Sequence, residues 1–108
     1  MVADLEDAVA PAEKEAARDV VRRVLAEPGT GCARMVRVNG VGTEWFEGDV
    51  AAVRELPLTA LVVPKATPES VAALGSEGPP VIAIVETAQG LRLAYETAVH
   101  PRVVALVL

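Results

Sequence analysis

The chain has 108 residues, 52% hydrophobic and 23% charged, which is enough apolar material for one ordinary domain core and excludes a disordered tail. Aromatic residues are only 3% and the net charge is −5, so a module that stacks bases on rings or grips a phosphate backbone by charge is excluded. The single cysteine, Cys32, excludes an internal disulfide framework and a cysteine-built zinc site, and reads as a reduced thiol of a cytosolic protein.

In chain order, the first predicted element is an apolar strand over residues 1–5, ending in Asp4-Leu5-Glu6-Asp7. A helix follows over 10–27. Pro11 suits its first turn, Ala16, Val20, Val21, Val24 and Leu25 share one stripe, and Pro28-Gly29 stops it. A second strand over 35–38 ends in Arg37-Val38-Asn39-Gly40, and a shorter helix over 49–56 is closed by Pro57. The third strand, 60–63, runs into Pro64-Lys65. Thr67-Pro68-Glu69 then supplies a capping hydroxyl and a proline at the first helical position, leading into 71–74. A fourth strand over 81–85 runs into Glu86-Thr87, a helix over 87–99 ends at His100-Pro101, and a last strand spans 103–108. No apolar run is long enough to span a membrane, and the N-terminus lacks the basic flank and apolar core of a signal peptide. A cytoplasmic protein without a membrane or nucleic-acid partner is expected.

Strands apolar on both faces, alternating with helices, give the rhythm of a parallel α/β protein with right-handed crossovers. An open doubly wound sheet and a (β/α)₈ barrel share it. A complete barrel needs roughly 250 residues, so this chain supplies about half of one. In both architectures the carboxyl ends of the strands form one rim, and ligands bind there. Glu6, Asp7, Arg37, Lys65 and Glu86 should therefore converge although they are far apart in sequence. Glu86 follows five apolar residues directly, and an unpaired carboxylate emerging from a buried strand points to a metal or a cationic partner. Asp7 also reads as a cap on the following helix, and Arg37 and Lys65 as strand-end charges reaching solvent. His100 reads as structural, and Trp45-Phe46 as packing at the start of its helix. Gly40-Val41-Gly42 lacks the third glycine of a dinucleotide fingerprint, which rejects a Rossmann cofactor site.

Four segments stand out together: Asp4-Leu5-Glu6-Asp7-Ala8-Val9-Ala10-Pro11 with Lys14 and Arg18 downstream, Val36-Arg37-Val38-Asn39, Val63-Pro64-Lys65-Ala66, and Ile84-Val85-Glu86-Thr87-Ala88. In this order and spacing they resemble the citrate lyase beta subunit family and its acyl-coenzyme A lyase relatives, including the malyl-coenzyme A lyases. The resemblance implies a TIM barrel, often assembled as trimers or hexamers, and so a homo-oligomer. Residues 1–108 would then be a single incomplete TIM-barrel segment, strands two to six of the family. The resemblance also implies a Mg²⁺-dependent carbon–carbon lyase acting on an acyl-CoA or other acyl thioester. Glu86 is expected to ligate Mg²⁺, and Arg37 to steady the substrate carbonyl and the developing enolate. Asp7 is expected beside the metal-bound water or substrate, with Lys65 and Glu6 shaping the substrate site. These residue types suit the chemistry, because retro-Claisen or retro-aldol cleavage builds negative charge on an oxygen, and a divalent cation with a guanidinium stabilises it. The family's first strand lies outside the resemblance. So does its second metal-ligating aspartate, which follows the sixth strand in a Gly-x-x-Asp-Leu segment. Two alternatives stand beside this reading: a catalytically inactive remnant serving binding or assembly, and a compact flavodoxin-like domain that binds a small ligand.

Overall fold

The computed structural model describes residues 1–29 and 31–108. Five short strands, β1 (Val2–Asp4), β2 (Met35–Arg37), β3 (Ala60–Val63), β4 (Val81–Ile84) and β5 (Val103–Val107), form one sheet. Every neighbouring pair is parallel, and the order is β1-β2-β3-β4-β5. The connections carry a short 3₁₀ turn over Pro11–Glu13, then α1 (Lys14–Leu25), α2 (Phe46–Val53), α3 (Pro68–Ala72), α4 (Ala88–Arg92) and α5 (Ala94–Ala98).

The strand order decides between the two architectures. A doubly wound sheet reverses direction at a switch point, whereas here each strand lies beside the next one in sequence. Parallel crossovers that never reverse place their helices on the same side of the sheet. That is the progression of a (β/α) barrel wall, and it overturns the flavodoxin-like alternative.

The two faces of the sheet confirm this. Val36, Val38, Leu61, Val63, Val81 and Ala83 are buried, and they pack with Leu25 of α1, Phe46 and Val53 of α2 and Val71 of α3 into one core. The alternate residues Val2, Met35, Val62, Ile82, Ile84 and Val107 face the other way with Asp4 and Arg37, lining an open hollow of about 470 Å³. In a barrel wall this second face is the interior.

Three details differ from the sequence reading. On α1 the buried positions are Lys14, Val21 and Leu25, while Ala16, Val20 and Val24 are exposed. The stripe drawn through all five apolar residues is therefore too wide. Its outer flank forms a groove with Ala8, Val9 and Ala10 instead of packing on the sheet. The second helix starts three residues earlier than expected, because Phe46 enters the core as its first residue. The helix over 87–99 divides at Leu93, whose φ of −106° and ψ of 21° leave the helical region. Its halves have different supports: α5 packs on β5 and α3, while Gly90 of α4 lies against the backbone of Ala66.

Arg102, just before β5, is a buried structural cation. It donates to the carbonyls of Leu74, Gly75 and Pro79 and so ties the connection between α3 and β4 to the start of the last strand. Burial lowers its pKa from the ordinary arginine value. His100 accepts the Arg102 backbone N–H at 3.2 Å, in keeping with a structural role, and Cys32 is an exposed free thiol. No helix among the described residues is long and apolar enough to cross a membrane.

Candidate site at the carboxyl ends of the strands

The register of β1 on β2 sets Asp4 directly opposite Arg37. Both are the last residues of their strands and both face the inner hollow. Asp4 Oδ1 accepts from Arg37 Nε at 2.9 Å and Oδ2 from Arg37 Nη2 at 2.6 Å, a two-pronged pair. The same carboxylate accepts the backbone N–H groups of Glu6 at 2.9 Å and Ala8 at 3.2 Å, which folds the loop after β1 back over the strand end. The Arg37 bond outweighs the opposing effect of burial and holds the Asp4 pKa at about 2. The Arg37 pKa moves up in return, chiefly through the same bond.

That folded loop delivers Glu6 to the rim, where it is buried. One oxygen lies 3.4 Å from Arg37 Nη1, and the other accepts from Lys65 Nζ at 3.2 Å. Lys65 itself sits at φ 48°, the only described non-glycine residue in the left-handed region. Two neighbours hold that conformation: Glu86 Oε1 accepts the Lys65 N–H at 2.9 Å, and Ile84 O accepts the Ala66 N–H at 2.8 Å. The result is a continuous ladder, Asp4–Arg37–Glu6–Lys65–Glu86, built from the ends of β1, β2, β3 and β4.

Beside the ladder lies a cleft of about 370 Å³, bordered by Glu6, Asp7, Lys14, Asn39, Trp45 and Lys65 among others. Lys14 is 5% exposed and donates to the carbonyls of Leu5 and Glu6, with its ammonium 5.1 Å from the centre of the Trp45 ring. Below it, Asp49 is fully buried. It accepts from Arg18 Nε at 2.7 Å and from both the backbone and side-chain N–H groups of Asn39. Asn39 also donates to Leu5 O, so α1, α2 and the loops after β1 and β2 are locked together under the cleft.

Of the residues singled out from sequence, Arg37, Glu6, Lys65 and Glu86 are thus joined by direct contacts. Asp7 is exposed on the cleft wall and makes no ion pair among the described residues. It does not cap the next helix either, since Ala10 holds the cap position there with no side-chain bond. Glu86 is exposed at the rim, so the burial cost assigned to it from sequence does not arise. Asp4 and Asn39 lie within the segments noted from sequence but receive no role there, and Asp49 stands only at the start of a predicted helix. Asp4 is found only once the β1–β2 register is known, because opposite charges at the last positions of two adjacent strands meet only if the strands are in register.

No three His, Cys, Asp or Glu side chains gather into a metal cage among the described residues. Glu86 nevertheless keeps Oε2 out of any hydrogen bond among those residues, on an exposed rim. Mg²⁺ takes few carboxylates and fills its octahedron with water and substrate oxygens, so Glu86 fits one ligand position.

Sequential parallel βα units, with charged residues gathered at the strand ends, give this chain the wall of a (β/α)-barrel protein. More narrowly, the chain belongs to the HpcH/HpaI aldolase/citrate lyase family, which it matches over residues 1–108. It is 42% identical over 113 aligned residues to the (3S)-malyl-CoA thioesterase of Cereibacter sphaeroides strain KD131, covering all of this chain and 39% of that protein. It superposes with a TM-score of 0.81 and 36% identity on the citrate lyase beta subunit of M. tuberculosis complexed with oxaloacetate and magnesium, over 97% of this chain and 45% of that one. A Mycobacterium tuberculosis protein in complex with magnesium, acetoacetate and coenzyme A matches with the same TM-score and identity, over 97% of this chain and 38% of that one. The chain spans about two fifths of the length of the curated relatives it matches most fully, 39% in the first case.

Proposed function

We propose that this chain carries part of the site of a Mg²⁺-dependent carbon–carbon lyase that cleaves a 3-hydroxyacyl-CoA or related acyl thioester by retro-aldol or retro-Claisen chemistry. The observation that carries the reading is the ladder: four strand ends, scattered over the sequence, deliver Arg37, Glu6, Lys65 and Glu86 to one rim in direct contact. The magnesium-bound relatives and the malyl-CoA and coenzyme A likenesses support the metal and the substrate class.

In this reading Arg37 faces the substrate carbonyl and stabilises the enolate oxygen, its planar fork already oriented by Asp4. Glu86 would offer one carboxylate ligand to the metal, while its Oε1 fixes the Lys65 turn. Magnesium, when bound, supplies Lewis-acid stabilisation of the oxygen on which charge develops. Lys65 and Glu6 border the substrate, and Asp7, free on the cleft wall, orients water or substrate beside the metal. Assembly as a homo-oligomer in the cytoplasm belongs to the same proposal. Thioester hydrolysis is a second reading, favoured by the likeness to the malyl-CoA thioesterase. Product analysis separates the two, since only the lyase splits the acyl carbon chain, whereas hydrolysis releases it whole together with free CoA.

Calorimetry on the chain tests the assignment. Mg²⁺ should bind weakly, because Glu86 is the one ladder carboxylate with an oxygen left unbonded and no cage gathers among the described residues, and Glu86→Gln should abolish that binding. Tight binding lost in Glu86→Gln would mean that another acid, such as Asp7, completes the site; binding unchanged in that variant removes Glu86 from the metal. In the assembled enzyme, Arg37→Lys keeps the charge and loses the fork, and should lower turnover by roughly two to three orders of magnitude, the scale of one lost oxyanion donor. Near-normal turnover removes Arg37 from the chemistry.

A further inference from the structure

The geometry points to Asp4 as the positioning residue of the site: we infer that its carboxylate, and not Glu6, fixes the plane of the Arg37 guanidinium and leaves Nη1 as the edge turned to the rim. The inference rests on the assignment of Arg37 to the substrate, but it makes a statement about this chain that holds or fails separately.

Three observations carry it. The Asp4 fork takes Nε and Nη2 at 2.9 and 2.6 Å, which fixes both the position and the tilt of a planar group. The Glu6 contact is a single approach of 3.4 Å to Nη1, too long and too lone to set an orientation. Asp4 is also immobilised in turn, since its two oxygens accept the Glu6 and Ala8 backbone N–H groups. A carboxylate held by two backbone donors of its own loop, independently of Arg37, can serve as a template for a neighbouring strand's side chain. The same bonds tie the placement of Glu6 to the placement of Arg37.

A purely structural Asp4 would shape the loop and leave Arg37 indifferent to it. The distinguishing measurement is hydrogen exchange of the Arg37 Nε–H by NMR, with the exposed Arg92 as internal reference. In the wild-type chain the Arg37 Nε–H should exchange at least about tenfold more slowly than that of Arg92, the scale of one net hydrogen bond. Asp4→Asn leaves one neutral oxygen for two prongs, and should speed exchange of the Arg37 Nε–H at least about threefold towards the Arg92 rate, with the backbone amides of Val36 and Val62 unmoved. Glu6→Gln should leave the slow exchange in place. An Arg37 that stays slow in Asp4→Asn, or becomes fast in Glu6→Gln, overturns the inference. Should Asp4→Asn fail to fold, the wild-type and Glu6→Gln rates decide, and fast exchange in either one sinks it. Adding Mg²⁺ and oxaloacetate to the same wild-type sample tests the functional reading separately: an unmoved Arg37 signal counts against the substrate assignment and leaves the positioning role standing.

Discussion

Asp4 carries a pH dependence that can be worked out from its partners. Its carboxyl is held at about 2, below the ordinary 3.8, by the Arg37 bond. A carboxyl whose folded value is depressed stabilises the fold above its unfolded value and loses that contribution as pH falls through the folded one. Stability from this pair should therefore be intact at neutral pH and lost between about pH 4 and pH 2, by up to about 2 kcal/mol. Urea unfolding of wild type and Asp4→Asn across that window is the check: the two curves should converge as pH falls, and parallel curves would refute the coupling. Legibility at this scale followed geometry. Arg37, Glu6, Lys65 and Glu86 could be read because each sits at a strand end, and strand ends of a parallel sheet converge whatever the exact pairing. Asp4 needed the β1–β2 register, and Asp49 needed to know that α1 and α2 lie side by side, with Arg18 and Asp49 facing each other across 31 residues. Neither fact has a local signature.

The strands were legible because their apolar runs are short and unbroken, whereas the helices were less so, because an apolar stripe gives the period and not which flank meets the sheet. Ala16, Val20 and Val24 illustrate this: they share the apolar stripe with Val21 and Leu25, yet only the latter two are buried. Gly90 shows an element held by space. A methyl group there would come within 2.6 Å of the Ala66 carbonyl oxygen, a backbone atom that cannot swing aside. Replacing glycine by alanine inside a helix gains up to about 1 kcal/mol of propensity. Overpacking against a fixed backbone costs about 1–3 kcal/mol, so the clash should win. Gly90→Ala is expected to destabilise the chain in denaturant unfolding, and a stabilised variant would show that α4 can lift off the Ala66 loop at no cost.

For the whole molecule, the sheet order removes the compact doubly wound alternative and leaves a wall with one covered face and one open face. β1 and β5 are its edges, and Val2, Val104, Val107 and Leu108 on or beside them are exposed. Edge strands with unpaired backbone groups beside apolar surface favour pairing with another chain, and burial returns about 25 cal/mol per Å² of apolar area. Sedimentation of the 108-residue chain at micromolar concentration should therefore show dimers or larger species. A sharp monomer that unfolds cooperatively would mean that the open face is stable in water as it stands.

The unbroken progression of β1 to β5 also governs how the chain can reach this state. Every strand pairs with the next one along the backbone across a single helical connection, so the entropic cost of closure differs little from one pair to the next. No pairing has to wait for a distant segment to arrive. Assembly can start at any adjacent pair of strands and spread outward unit by unit, as in a linear repeat array, although each parallel pairing spans a whole helical crossover and so closes more slowly than a hairpin.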